Sequence, residues 1–469
     1  MDVKIITTKN MYDAMMSQLF PANNPLEQFG FIVTGLSKHK DGINLLCRKF
    51  IFADESCLIK QTRVSVVPDP RFVQYVWSIV KECNGGLITV HTHPFSKEHV
   101  SFSGIDDRSE ADSFPREAEF LGEGPHANMV LGTNSIDARW YNTKDNNVLP
   151  VKEVKIVSET GIKVLKPTSQ IEDAADRTDV EEIHDRQVLA FGKVGQNLLG
   201  KQKVGIVGCG GIGSILFILL VRLGVQDFVL IDHDRVEMSN LNRLAGSRLS
   251  DVKNKRLKVQ MLANYVCKIN PSACIEMVPC SVFSSQARSA LKSCDYIFGG
   301  TDNQSTRDLL NTHAIHHMMP YIDCGTGIQA GEHYNIEHAG GQVRTVIPGL
   351  GCLKCIDGIN MDIAKMEQLP KEQREFMAQR GYIAGVNEHA PAVASLNGVI
   401  ANLAITEFMG HVTGCKPLSR YVYYNFLKPL VAPVEFPKKP DCFSCSEDTL
   451  LGCGDGGLTL PEYAISCKV

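Results

Sequence analysis

The sequence has no apolar stretch able to cross a bilayer. Its longest run, Ile215–Val221, falls far short of the roughly 20 residues a spanning helix needs. It opens without a basic segment followed by a sustained apolar one, so no secretory signal is predicted. An excess of one charge is missing too. Lys+Arg number 48 against 52 Asp+Glu, and a net charge of −4 provides no basic field for nucleic acid or an anionic membrane. Neither internal repeats nor low-complexity tracts occur, which leaves ordinary globular domains. Hydrophobic residues at 44% and charged residues at 21% are enough to bury cores, and 469 residues at about 150 per domain suggest two to four of them. Cysteine, by contrast, is plentiful at sixteen. Disulfide scaffolds are short and secreted, so the expectation is a cytoplasmic protein with reduced cysteines, some of them metal ligands.

The clearest seam is Lys166–Glu182, polar, acidic and nearly free of large apolar residues. Such composition buries little and predicts a linker. Before it, an α+β pattern predicts strands at Phe29–Val33 and Gly86–His91 and a helix at Val73–Cys83, with Val73, Val76, Trp77 and Val80 on one face. After it, strands alternate with helices: Lys203–Gly208, Ile212–Leu223, Phe228–Asp232, Lys255–Ile269 and Tyr296–Gly300. Alternation of this kind predicts an α/β, Rossmann-like doubly wound sheet. The expected organisation is an N-terminal domain over 1–165, a linker over 166–184 and a second domain over 185–469.

His91-Thr-His93-Pro follows the first domain's second strand, and Ser103-Gly-Ile-Asp106 comes soon after. In an extended chain His91 and His93 point to one side, so both imidazoles can reach one cation, and Asp106 offers a hard oxygen. Three protein ligands leave a tetrahedral position open for water, the arrangement of catalytic zinc. On its own an HxH pair at a strand end is more often a surface accident. HxHP followed by SxxD, preceded by Glu27-Gln-Phe-Gly30 and an apolar run, resembles the JAMM (JAB/MPN) metalloproteases, which cleave after the C-termini of ubiquitin-like proteins. The resemblance implies zinc on His91, His93 and Asp106, Glu27 as general base and acid, and Ser103 stabilising the tetrahedral intermediate. Glu55 is a weaker candidate for the base.

In the second domain Gly208-Cys-Gly210-Gly211-Ile-Gly213 lies between strand and helix, where glycines let backbone approach a phosphate at a helix N-terminus. Asp232 ends the next strand at about the interval of a ribose-binding acid. Those features alone favour a nicotinamide or flavin dehydrogenase. The polar run from Asp232 to Arg243 and the segment Gly300-Thr-Asp302-Asn303 shift the balance, because a triphosphate with magnesium needs such groups and hydride transfer does not. DRQVLAFG, GCGGIGS, LIDHDRVEMSNLNR, KINP, GGTDN and two CxxC pairs resemble the ThiF-type ubiquitin-activating enzymes over about 185–455. Members adenylate the C-terminal glycine of a ubiquitin-like or sulfur-carrier protein. The resemblance implies ATP against Gly208, Gly210, Gly211 and Gly213, and ribose on Asp232. It places the triphosphate on Asn240, Arg243 and Lys258, and magnesium on Asp302. Arg186 would reach the γ-phosphate, often across a homodimer interface. Lys255 competes with Lys258 for its role.

Cys352-Leu-Lys-Cys355 and Cys442-Phe-Ser-Cys445 could close a four-thiolate structural zinc or serve as a redox dithiol. The resemblance favours zinc. Many relatives also carry a thioester-forming cysteine between these pairs, yet none occurs from Ile356 to Gly414, and Val386, Asn387 and Glu388 stand where it is expected. Either the reaction stops at the acyl-adenylate or the thioester forms on Cys324, Cys415, Cys453 or Cys467. The leading expectation is a fused enzyme that trims or removes a ubiquitin-like β-grasp protein and adenylates its terminal glycine. An enzyme of the ubiquitin-conjugating type would be a further partner. Fusions of these two domains resemble prokaryotic conjugation systems, some tied to antiviral defence. Activation of a sulfur carrier, a non-catalytic scaffold that binds a ubiquitin-like protein, and a dehydrogenase are the rivals.

Overall fold

The computed structural model describes residues 1–122, 124–171, 182–331, 335–370, 372–374, 376 and 391–459. The first sheet has nine strands: β1 (Asp2–Thr8), β2 (Phe29–His39), β3 (Gly42–Phe52), β6 (Gly86–Thr92), β7 (His126–Leu131), β8 (Ile136–Asn142), β9 (Asn147–Pro150), β10 (Glu153–Ser158) and β11 (Gly161–Leu165). Their order is β11-β10-β1-β3-β2-β6-β7-β8-β9, with β4 (Leu58–Gln61) and β5 (Val66–Pro68) forming a separate small pair. β2 lies inside the sheet, which explains its almost unbroken apolar sequence. It continues past the predicted Val33, because its antiparallel pairing with β3 runs to His39.

Helices α1 (Lys9–Leu19), α2 (Pro70–Glu82) and α3 (Gly104–Leu121) accompany this sheet. α2 begins earlier than Val73 because Asp69 caps it and Pro70 fits the first turn. Its buried face is Phe72, Val76, Ile79 and Val80, rotated slightly from the predicted stripe.

α4 (Asp185–Gly200) leads into the second sheet, whose strand order is β14-β13-β12-β15-β16-β17-β18-β19. The strands β12 (Lys203–Val207), β13 (Asp227–Ile231), β14 (Cys274–Val278), β15 (Tyr296–Gly299) and β16 (Tyr321–Ala330) are parallel. β17 (Ile336–Val346), β18 (Tyr421–Asn425) and β19 (Leu430–Pro433) extend the sheet antiparallel, an addition that strand–helix alternation did not predict. The accompanying helices are α5 (Gly211–Leu223), α6 (Leu249–Lys253), α7 (Lys258–Val266), α8 (Ser285–Leu291), α9 (Gln304–His316), α10 (Met361–Glu367) and α11 (Ala394–Thr413).

One prediction here needs correction. The helix expected over Lys255–Ile269 spans only Lys258–Val266. Lys255 takes a positive φ of 46°, and Leu257 bridges to Arg235, so the chain turns before the helix starts.

A single apolar cluster runs through both sheets: Ile6, Leu46 and Val157 of the first sit with Met318, Val346 and Leu451 of the second. Polar ties follow the same seam. Lys155 pairs with Asp295, His317 Nδ1 lies 2.9 Å from Ser37 Oγ, and Arg48 donates to Thr449 O at 2.7 Å. Of the predicted linker, 172–181 lies outside the described residues. Among the described residues no helix is long and apolar enough to cross a membrane.

Candidate functional site

Three groups of side chains that the sequence scatters are gathered by the fold. The first stands at the end of β6. Strand pleating sends His91 and His93 the same way, and α3 begins just beyond with Ser103 as its N-cap. Ser103 Oγ accepts from the backbone N–H groups of Ile105 and Asp106, while its own N–H donates to Asp106 Oδ2 at 2.6 Å. This reciprocal box fixes the Asp106 carboxylate on the helix's first turn. His91 Nε2 then lies 3.3 Å from Asp106 Oδ1, and His93 Nε2 lies 3.8 Å from Asp106 Oδ2. Glu27, 6% exposed at the mouth of β2, places Oε1 3.8 Å from His93 Nε2. All five predicted residues therefore meet, and Glu55, on a one-turn helix at Glu55–Cys57, is exposed and makes no ion pair with a described residue.

The electrostatics separate the two carboxyls. Burial pushes Glu27 up to about 7, with His91 opposing and the Asp106 charge adding to the rise. Burial works against Asp106 as well, but the His91 and Ser103 contacts outweigh it and hold that carboxyl far below its ordinary range. Burial and neighbouring His91 lower His93, keeping it neutral and able to ligate. His91 Nε2 is buried without a hydrogen-bond partner. An orphaned imidazole nitrogen beside a second imidazole and an ionised carboxylate is the donor set zinc takes, with ligand atoms within 4.8 Å of one another.

Gly30 has a steric reason in this site. A Cβ there would come 2.6 Å from the Phe50 ring and 2.8 Å from Ile51 O, so β2 carries Glu27 into place only with glycine at that position.

The second group surrounds the turn from β12 to α5. Gly208 has φ of 87°, and a Cβ on Gly213 would lie 1.8 Å from Gly208 O, so both are steric requirements of the turn. A Cβ on Gly210 would meet nothing within 4 Å, which leaves its backbone open to a ligand. Asp232 closes the turn from β13, accepting from Cys209 N at 2.7 Å and from Asp234 N at 2.8 Å. The late start of that helix gives the two lysines different surroundings. Lys258 N donates to Asp234 O, and its Nζ lies 2.7 Å from Asp234 Oδ2. Burial lowers the Lys258 ammonium, but Asp232 and Asp234 outweigh it and hold the pKa above the ordinary range. Lys255 instead offers its carbonyl to Arg235.

Asn240 Oδ1 accepts from Glu237 N, and Arg243 lies across the same turn, donating to Ser239 O. Asp302 is exposed just beyond β15. Arg186, on the first turn of α4, is exposed and makes no hydrogen bond or ion pair with any described residue.

The third group is the four cysteines. Cys352 Sγ lies 3.8 Å from Cys442 Sγ and Cys355 Sγ lies 3.5 Å from Cys445 Sγ, all four within 4.8 Å. A tetrahedron with zinc–sulfur bonds of about 2.3 Å has edges of about 3.8 Å, so these thiols fit that ion. Of the alternative thiols, Cys324 and Cys453 are buried, and burial pushes Cys453 up to about 11. Cys415 is exposed. Val386, Asn387, Glu388 and Cys467 lie outside the described residues.

Sequence reasoning missed two supporting sets. Arg139 stacks over Phe102 at 3.9 Å and pairs with Asp107 and Glu110, bracing the loop that carries Ser103. Asp323 accepts from Arg307 and Arg344 beneath the loop of Asp302. Acids on the apolar face of α3, Glu110 and Glu117 beside Phe114, were the available signal for the first.

Comparison with known proteins covers the part of the chain that holds the second and third groups. The sequence profile of the ThiF family matches residues 184–444, more than half of the chain. The SAMP-activating enzyme E1 of Haloferax volcanii is 26% identical over 283 residues, 59% of this chain and 91% of that protein. The sulfur carrier protein adenylyltransferase of Thermus thermophilus is 30% identical over 140 residues, 30% of this chain and 51% of that one. In MoeZ of Mycobacterium tuberculosis, a probable adenylyltransferase/sulfurtransferase, 30% identity over 159 residues spans only 40% of the relative. Escherichia coli MccB, solved with ATP, aligns at 19% identity and a TM-score of 0.46 over 57% of this chain and 75% of that one. Residues before His184 lie outside the profile match. The chain belongs to the ThiF family.

Proposed function

We propose that the chain adenylates the C-terminal glycine of a ubiquitin-like or sulfur-carrier protein, and that its N-terminal part, residues 1–165, is a JAMM-type zinc peptidase acting on the same class of protein. The observation that carries the first half is the convergence of the open glycine turn, Asp232 and the Asp-paired Lys258. A tail carboxylate oxygen attacks the α-phosphorus of ATP, the bond to the β-phosphate breaks, and pyrophosphate leaves. Anion attacks anion, so cations must neutralise the charge, and Arg243 and Lys258 would supply them. Asp302 would hold the magnesium that accompanies the triphosphate. A cleft of about 440 Å³ lined by Gly325, Gly327, Gly340 and Gly341 admits an extended tail without side chains. Ile183, Leu189 and Val194 leave an exposed apolar surface around Arg186, which suits pairing with a second copy and delivery of Arg186 to the other copy's nucleotide.

For the N-terminal part, His91, His93 and Asp106 would hold a zinc ion, which supplies Lewis acidity and makes bound water acidic. Glu27 Oε1 receives the proton and returns it to the leaving amine, a task suited by its raised pKa. The Ser103 hydroxyl oxygen accepts from two N–H groups, and its hydrogen remains free to donate to an oxyanion. The four cysteines would hold a structural zinc. A stop at the adenylate is favoured by one observation: Ile356 to Gly414 contains no thiol, and of the other candidates Cys324 and Cys453 are buried, which leaves the exposed Cys415 as the alternative among the described residues.

ATP–pyrophosphate exchange tests the reading. The probe is a β-grasp protein ending in Gly-Gly, supplied with and without a short C-terminal extension. Exchange is expected with the trimmed form, and with the extended form only after incubation with zinc-loaded wild type. Glu27→Gln should slow that trimming by roughly 10²–10⁴-fold while leaving exchange on the trimmed form intact. No exchange with either form overturns the activation reading. Trimming that survives Glu27→Gln overturns the peptidase reading.

A further inference from the structure

Asn397 lies on the first turn of α11, 3% exposed, and no sequence signal singled it out. Its backbone N–H donates to Val393 O, so the helix fixes its position. The side chain joins two places that the reaction must bring together. Oδ1 accepts from Thr326 Oγ1 at 3.1 Å, and Thr326 lines the glycine-walled cleft. Nδ2 points the other way, over the nucleotide turn: a Cβ on Gly211 would stand 2.2 Å from it and 3.6 Å from Arg243 Cδ. Among the described residues no hydrogen bond from Nδ2 accompanies the one Oδ1 accepts, and the NH₂ faces the glycine turn. With the Thr326 hydroxyl donating to Oδ1, the NH₂ of the amide is turned towards Gly211.

Resting on the adenylation reading, we infer that Asn397 Nδ2 donates to an oxygen of the acyl-phosphate where tail and nucleotide join, so that Asn397 is a catalytic residue of adenylate formation. When the tail carboxylate meets the α-phosphate, negative charge collects between the cleft and the glycine turn, within reach of this NH₂ and the Arg243 side chain. Donors aimed where charge develops lower the barrier without reorganising.

The test uses a pair of variants that separate donation from shape. Asn397→Asp is isosteric and keeps an oxygen for Thr326, yet it replaces the donor with a carboxylate facing phosphate. Asn397→Ala removes both groups and adds no charge. If Asn397 only packs, Asp is the milder change; if Nδ2 donates, Asp is the harsher. Calorimetry on the full chain would measure binding of Mg·ATP and of glycylglycyl-sulfamoyl adenosine, an acyl-adenylate mimic, with melting temperatures taken alongside. For Asn397→Ala the expected result is mimic binding weakened about 30-fold with ATP binding within 3-fold. For Asn397→Asp the mimic should bind more weakly still, at a melting temperature no lower than that of the alanine variant. Equal binding of the mimic by wild type and Asn397→Asp overturns the inference and leaves the adenylation reading standing. Wild type that binds neither ATP nor the mimic overturns both.

Discussion

The two clusters of metal-ligating side chains are built on opposite plans. His91, His93 and Asp106 supply three donors from a strand end and a helix start, beside a carboxyl, Glu27, whose proton affinity burial has raised. Cys352, Cys355, Cys442 and Cys445 supply four donors from two short knuckles. Three ligands leave a position for reaction, and four leave none. Their surroundings differ accordingly. The open set is ringed by titratable groups: Glu27 above, and Asp107, Glu110 and Arg139 behind. The closed set sits in the shared apolar cluster with Leu353, Ile356 and Leu451. From its last cysteine the chain continues to Gly454, which bridges to Leu36 of the first sheet. On the proposed reading, one cluster would serve chemistry at a cost in buried charge, while the other would serve the assembly of the two sheets.

The largest expected effect tests that division directly. Structural zinc can contribute roughly 10–16 kcal/mol to folding, more than a typical domain's whole stability. Cys445→Ser should therefore remove the cooperative melting transition or the soluble protein altogether, and a metal assay should find only the zinc of the open site. His91→Ala should lose the open-site zinc and all peptidase activity while shifting the melting temperature by only about 3 °C. In chelator competition the open site should empty first. If His91→Ala destabilises the chain as much as Cys445→Ser, the open site is structural and the comparison fails.

How far each plan was legible in the sequence follows from what it is made of. Both donor sets were readable because a metal needs chemically distinct ligands at short spacings: HxH on a strand, CxxC on a knuckle. Glu27 was found through Gly30, a position that sterics reserve for glycine. Long-range groups were not readable. Arg139 meets Glu110 across a strand and a helix, and Asn397 meets Gly211 and Thr326 only because α11 crosses the end of the sheet. Periodicity also failed at α7, where a predicted continuous helix is broken by the left-handed turn at Lys255. β17 and β19 escaped the strand–helix alternation because each pairs antiparallel with the strand just before it and needs no helical crossover.

The break at Lys255 yields the next prediction, and it sharpens the contrast from the nucleotide side. Lys258 Nζ is held by Asp234 beside Asp232, whereas the Lys255 side chain forms no ion pair with a described residue. Lys258→Met should slow ATP–pyrophosphate exchange by about 10²-fold, near 3 kcal/mol of transition-state stabilisation. Lys255→Met should change it less than 3-fold. Peptidase activity should be untouched by either, because neither lysine approaches the open metal site. Equal losses in the two variants would mean that the turn, and not the Lys258 charge, is what exchange requires.

The smallest effect concerns the carboxyls buried on α3, which carries Asp106 at its start. Glu117 is buried with Oε2 unpartnered, and burial, helped by the Glu110 charge, pushes its pKa up to about 8 from an ordinary value of 4.5. The folded protein therefore keeps a proton that the unfolded chain releases. Between pH 4.5 and 8 the unfolded state binds fewer protons, so stability falls as pH rises; it is fully present below 4.5 and lost by about 8. Glu117→Gln cannot ionise and should flatten this slope. At pH 8 it should be more stable than wild type by on the order of 1–2 kcal/mol, after allowing for burial of the carboxamide, and near-neutral at pH 5. Denaturant titrations at the two pH values would measure the difference. A variant equally destabilised at both would show that Glu117 is ionised and paired in the fold, and the cost in buried charge assigned to the open site's helix would have to be withdrawn.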